Sequence, residues 1–187
     1  LAAPIINTKY ILEVLDGNSC ITRDTVWVYV DNTPTAIAGN DREICYESST
    51  LIGQNGIGGT PPYTYQWSPS EGLVNAQISP VEAKPKSTTL YKLVVTDSKG
   101  CRSADSVLIT VRPEIKTVLE DSIIVCNGTS TSLETIIQGG NPPYTVLWSP
   151  IQHLNNRFAQ SPVFTAKDPL RQFYTIRITD SKNCVKI

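Results

Sequence analysis

The sequence has no methionine, one histidine and no long apolar run. A single histidine, His153, cannot serve a site that recurs along the chain, and its counterpart in the repeat described below is Glu71. No two cysteines are spaced Cys-x-x-Cys, which together with the lone histidine argues against zinc. No stretch approaches the about 18 apolar residues of a membrane-spanning helix, so membrane insertion is not expected. No stretch of these 187 residues reads as a secretion leader. A chain that opens on Leu1 without methionine is expected to be a processed product or a fragment whose export signal lies elsewhere in the parent. Charge is sparse and balanced: 16 Lys and Arg against 17 Asp and Glu leave a net charge of −1. That excludes the basic footprint of a nucleic-acid binder and gives no attraction to anionic membranes. HExxH, GxSxG and Walker patterns are all missing. The glycine-rich stretch 53–59 runs into Pro61 and Pro62, not into a helix N-terminus, and reads as a loop between strands. The expectation is a chain that is not an enzyme and holds no cofactor.

What is present is a repeat. Gly59-Thr60-Pro61-Pro62-Tyr63-Thr64 recurs as Gly140-Asn141-Pro142-Pro143-Tyr144-Thr145, Trp67-Ser68-Pro69 as Trp148-Ser149-Pro150, and Cys45 as Cys126, each 81 residues on. A second block occurs three times. It runs from Tyr10 to Cys20, from Tyr91 through Thr96-Asp97-Ser98-Lys99-Gly100-Cys101, and from Tyr174 through Thr179-Asp180-Ser181-Lys182-Asn183-Cys184. The offsets are 81 and 83, which places a two-residue insertion near Pro169. Residues 1–33 then read as the C-terminal hairpin of a truncated repeat, 34–113 as a complete one, and 114–187 as one lacking most of its last strand. Further repeats on both sides are expected.

Thr, Ser, Val, Ile and Tyr are plentiful beside 13 Pro and 11 Gly. Many short strands with tight turns give this profile. Residues 88–96 alternate as a half-buried strand. Asp97-Ser98-Lys99-Gly100 supplies hairpin-turn chemistry, and 103–111 returns with Val107, Ile109 and Val111 on one face. The first copy repeats this with Val26, Val28 and Val30, which puts Trp27 and Tyr29 on the other face. Residues 50–54 and 63–67 read as two further strands, with a turn forced at 58–62. The pattern predicts an all-β fold, a tandem of immunoglobulin-like β-sandwich repeats of about seven strands each. Trp67 and Trp148 take the place of a core Trp on a central strand, and Tyr10, Tyr91 and Tyr174 open the penultimate strand as core-packed corner tyrosines.

The run Gly-Gly-Thr-Pro-Pro-Tyr-Thr-Tyr-Gln-Trp-Ser, the opening Ala38-Gly39-Asn40-Asp41-Arg42-Glu43-Ile44-Cys45 and the ending Val-Val-Thr-Asp-Ser-Lys-Gly-Cys resemble the PKD-like and gliding-motility adhesin (SprB-type) repeats of Bacteroidota surface proteins. The resemblance covers nearly the whole chain. It implies type IX secretion, tandem arrays, and a place at the bacterial cell surface or in a filament. Asn183 departs from the turn glycine but tolerates the same backbone.

Five cysteines admit two pairings that respect the repeat. Within a repeat, Cys45 joins Cys101 and Cys126 joins Cys184; between repeats, Cys20 joins Cys45 and Cys101 joins Cys126. Strand geometry favours the first, with Cys20 paired outside the chain, and paired cysteines place the protein outside the cytosol. Asp97 and Asp180 read as turn residues in preference to calcium ligands. Asp24-Thr25-Val26, Asp105-Ser106-Val107 and Asp121-Ser122-Ile123 match the Asp-Ser/Thr-aliphatic pattern of Bacteroidota O-glycosylation, so Thr25, Ser106 and Ser122 are candidate acceptors. Asn127-Gly128-Thr129 is an N-glycosylation sequon that a bacterial origin would leave unused.

The leading functional expectation is a non-catalytic stalk or filament segment of a large secreted surface adhesin, whose partners are the neighbouring repeats of the same polypeptide. The alternatives are a carbohydrate- or surface-binding module using Trp27, Tyr29 and Tyr46 as stacking faces, and a subunit that associates with like chains in an extracellular fibre.

Overall fold

The computed structural model describes residues 3–167 and 171–187, and among these there are strands and no helix. The insertion expected near Pro169 lies outside the described residues. The chain forms two compact units. The first comprises Leu1–Asn40, Leu51–Glu82 and Leu90–Val107; the second comprises Asp41–Thr50, Ala83–Thr89 and Leu108–Ile187.

The first sequence copy supplies a hairpin of β1 (Thr8–Leu15) and β2 (Ile21–Val28), in register from Thr8↔Val28 to Leu15↔Ile21. The middle copy supplies β3 (Pro34–Thr35), β4 (Arg42–Ile44), β5 (Thr50–Ile52), β6 (Ile57–Gly58), β7 (Thr64–Ser68), β8 (Val81–Ala83), β9 (Thr89–Thr96) and β10 (Arg102–Val111). Here β7 pairs antiparallel with β9, β9 neighbours β10, and the end of β10 runs parallel to β4. Separately, β5 pairs with β8 and β3 with β6. The third copy repeats the scheme with β11 (Lys116–Val118), β12 (Ser130–Ser132), β13 (Ile136–Gln138), β14 (Thr145–Ser149), β15 (Val163–Thr165), β16 (Thr175–Thr179) and β17 (Val185–Lys186). Its pairs are β14-β16-β17, β12-β15 and β11-β13, each the counterpart of a pairing in the middle copy. The sheets of each copy form an immunoglobulin-like β-sandwich, but Trp67 and Trp148 stand on β7 and β14, each at the end of its sheet's strand order and not on a central strand as the sequence suggests. The stretch 53–59 differs from a plain loop: Ile57 and Gly58 form β6, with Thr35↔Ile57 and Pro34↔Gly58 in register.

Alternation along the strands decides what is buried. On β9, Tyr91, Leu93 and Val95 point inward while Leu90 and Lys92 face solvent. In the first unit these three pack out of solvent together with Ile52, Trp67, Val81 and Val107. The second unit has its own cluster of Ile115, Leu133, Val146, Trp148, Ile178 and Cys184, with Tyr174 half-buried against it. The indole N–H of Trp67 donates to the Ile78 carbonyl at 2.9 Å, and that of Trp148 to the Ala159 carbonyl at 3.0 Å. Tyr91 and Tyr174 likewise donate their hydroxyls to the carbonyls of Glu71 and Gln152, at 2.7 and 2.5 Å.

Tyr10 is a correction: it is not a core residue but 36% exposed. Its face of the hairpin carries Leu12, Val14 and Val26, the counterparts of the buried Leu93, Val95 and Val107, and all three are exposed. Burial needs an opposing sheet, and among the described residues β1 and β2 form a two-stranded sheet of their own.

Gly53 is the tightest point of the first core. Its φ is +79°, and an added Cβ would lie 2.5 Å from Ser79 Oγ and 2.6 Å from the Trp67 ring. Gly53→Ala is therefore expected to cost about 1–3 kcal/mol from overpacking alone, read as a lower urea midpoint. Gly100→Ala, with open space around its Cβ, should cost only the positive-φ penalty of about 1–2 kcal/mol.

Candidate functional site

One turn recurs three times and ends in a cysteine each time. In the middle copy, Asp97 Oδ1 accepts the amides of Lys99 at 3.0 Å and Cys101 at 2.9 Å, and Oδ2 accepts the Thr60 amide at 2.9 Å. In the third copy, Asp180 accepts from Lys182 at 2.8 Å, Cys184 at 2.9 Å and Asn141 at 3.0 Å. Asp16 accepts from Asn18 and Cys20 at 2.8 and 2.9 Å. Gly100 and Asn183 close their turns at φ +84° and +64°, the backbone that Gly adopts freely and Asn tolerates. Asp97 and Asp180 are both buried. Their oxygens are occupied by amides, which fits turn chemistry and leaves them poor calcium ligands. Among the described residues no His/Cys/Asp/Glu cluster could hold a metal.

The amides also set the acidity. The Thr60 amide, with those of Cys101 and Lys99, holds the Asp97 carboxyl below its ordinary value despite burial. For Asp180, burial pushes the pKa up, but the amides of Cys184, Lys182 and Asn141 outweigh it and the net shift is downward. A depressed folded pKa contributes stability that is fully present above the unfolded value of about 3.9 and is lost as pH falls through the folded value. The urea midpoint is therefore expected to drop on acidification below about pH 4, and Asp97→Asn should flatten that dependence in the first unit.

These turns meet the strand ends of the preceding copy. Lys99 Nζ lies 2.6 Å from Asp31 Oδ1, and that carboxylate raises the lysine's pKa above its ordinary value. The counterpart of Asp31, 81 residues on, is Arg112. Its guanidinium holds Glu43 through Nε and Nη2 at 3.2 and 2.9 Å and donates to the Lys182 carbonyl at 2.9 Å. Beside it, Cys45 and Cys184 form a disulfide with Cα atoms 5.5 Å apart.

This bridge differs from both pairings read from the repeat. Cys101 and Cys126 are not bonded to Cys45 and Cys184, and Cys20, Cys101 and Cys126 are free. Cys101 stands ahead of the first residue of β10, whereas Cys45 follows Ile44, which pairs with Val111 at the last. Ten strand residues at about 3.3 Å each separate them, far beyond the about 7 Å that bonded Cα atoms allow. Cys126 is exposed, before β12. The signal that sequence reading lacked is the junction itself: Lys99 meets Asp31, and Arg112, the counterpart of Asp31, meets Glu43, but no periodicity says so.

Trp27 and Tyr29 are 52% and 71% exposed and near-parallel, with centroids 6.1 Å apart and an interplanar angle of 16°. Tyr46 belongs to the other unit, half-buried beside Cys45 and Pro113. Thr25, Ser106 and Ser122 are all exposed. The preceding aspartates do structural work: Asp24 and Asp105 accept the amides of Thr25 and Ser106 at 2.7 and 2.8 Å, and Asp105 also accepts the Ala38 amide at 2.8 Å.

No protein-family model and no curated protein matches the chain. Solved structures of Ig-like proteins do. The chain is similar to titin domains I67–I69, with a TM-score of 0.45 and 16% identity over 94% of this chain and 70% of that one. It is similar to the N-terminal eight Ig domains of Down Syndrome Cell Adhesion Molecule, with a TM-score of 0.47 and 12% identity over 92% and 25%. It is similar to the insect immune protein hemolin, with a TM-score of 0.44 and 14% identity over 95% and 54%. Such distant likeness assigns neither partner nor activity.

Proposed function

We propose that this chain is a structural segment, a stalk or filament piece of an extracellular adhesin, whose task is spacing and mechanical continuity. The observation that carries the reading is the Cys45–Cys184 bridge, which spans a sequence separation of 139. A bond placed there shields nearly all of the second and third copies from extension. Disulfides persist outside the reducing cytosol, which supports an exported protein. A bacterial-surface setting and type IX export are supported by the motif resemblance alone.

Pulling the chain from Leu1 to Ile187 tests this. With the bridge intact, the segment between the cysteines adds nothing to the stretched length. Reduction should release 139 residues, about 490 Å at roughly 3.5 Å each. Equal stretched lengths before and after reduction would remove the mechanical role.

The exposed Trp27–Tyr29 pair favours a second reading, a stacking platform for sugar rings. Trp27→Ala should then weaken binding on a glycan array at least tenfold; unchanged binding would exclude it. In the surface-adhesin reading Thr25, Ser106 and Ser122 are the glycan acceptors, checked by hexose increments on their peptides in protein from its native source.

A further inference from the structure

We propose that the copies are joined by a staggered disulfide rule: the first cysteine of each copy bonds the second cysteine of the next. The first cysteines are Cys45 and Cys126, and the second are Cys20, Cys101 and Cys184. Cys45–Cys184 obeys the rule directly. The rule also accounts for every free cysteine. The partner of Cys101 would be the counterpart of Cys45 in the first copy, 81 residues earlier and so ahead of Leu1. Cys20 would need the first cysteine of a still earlier copy. Cys126 would need the second cysteine of a copy following Ile187. All three are at least partly accessible.

A second, independent observation supports the rule. Arg112 donates to the carbonyl of Lys182, two residues before Cys184, and its own amide donates to the Ile44 carbonyl at 2.9 Å, one residue before Cys45. The turn and the strand end are thus brought together at the bridge. At the earlier junction Asp31, the counterpart of Arg112, holds Lys99, two residues before Cys101. The same turn therefore sits at the same strand end, and Cys101 stands where the first cysteine of a preceding copy would emerge. Closure is a two-electron oxidation. A thiolate attacks a disulfide oxidant to give a mixed disulfide, the second thiolate displaces it, and two thiol protons and two electrons leave on the oxidant as two thiols.

The inference concerns connectivity and does not depend on the mechanical reading above. It is tested in a lengthened chain, residues 1–114 followed by 34–187, which keeps the 81-residue period, oxidised with oxidised glutathione and mapped by non-reducing peptide mass spectrometry. With Cys101→Ser in the first full copy and Cys45→Ser in the second, the rule predicts one linkage, first-copy Cys45 to second-copy Cys101, with Cys184 alkylated as a free thiol. The mirror variant, Cys45→Ser in the first copy and Cys101→Ser in the second, should show Cys45–Cys184 and a free first-copy Cys101. Cys45 left free or bonded to Cys126 or Cys184 in the first variant overturns the rule, and so does the absence of Cys45–Cys184 in the mirror.

Discussion

Cys45→Ser, or reduction of the Cys45–Cys184 bridge, is expected to destabilise the second unit by about 5 kcal/mol, the chain-entropy value for a loop of this size. The residues between the cysteines number well over a hundred, given a separation of 139, so the bridge removes a large share of the denatured chain's freedom. Cys184 is also buried in the hydrophobic cluster with Ile115, Leu133 and Trp148, so replacing it with serine adds a polar group to that cluster. Cys184→Ser should therefore cost more than Cys45→Ser. Cys101→Ser should change little, because its thiol is free. Urea midpoints of the three variants, each with and without reductant, give the comparison. Equal loss in Cys101→Ser and Cys45→Ser would indicate that these two residues are partners.

Trp67→Ala and Trp148→Ala carry the second large effect, about 3–5 kcal/mol each. Both side chains are almost wholly buried. Both also give their indole N–H to a carbonyl, Ile78 in one copy and Ala159 in the other. Truncation removes the packed ring and leaves that acceptor unpaired. Trp67→Phe restores most of the packing but not the donor, so it should recover the larger part of the loss. Denaturation followed by the fluorescence of the remaining tryptophans reads both. An exposed-site response, within about 0.5 kcal/mol, would contradict the placement of either ring.

The strands were legible where two-residue alternation ran long enough. Residues 103–111 place Val107, Ile109 and Val111 on one face by pattern alone; the structure buries Val107 and Ile109 and leaves Val111 half-buried. The tryptophans were legible because Trp-Ser-Pro repeats at a fixed offset. Tyr10 was not, since its motif is that of a buried residue, whereas among the described residues it sits in a two-stranded sheet and is exposed. The bridge was not legible either. Strand length and an extended array favour closure within a copy, yet β4 runs parallel to the end of β10 and carries Cys45 to the end opposite Cys101. Direction within a sheet, which no spacing encodes, decided the pairing. The charges at Asp31 and Lys99 belong to the same class, since each is an ordinary solvated side chain until the turn and strand end meet.

Non-reducing peptide mapping of the unaltered 187-residue chain tests the central claim that one copy is covalently clamped to the next. The structure predicts a peptide pair joined through Cys45 and Cys184, with Cys20, Cys101 and Cys126 alkylated before any reductant is added. A Cys45–Cys101 or Cys126–Cys184 linkage would contradict it and return the bridges to the interior of single copies.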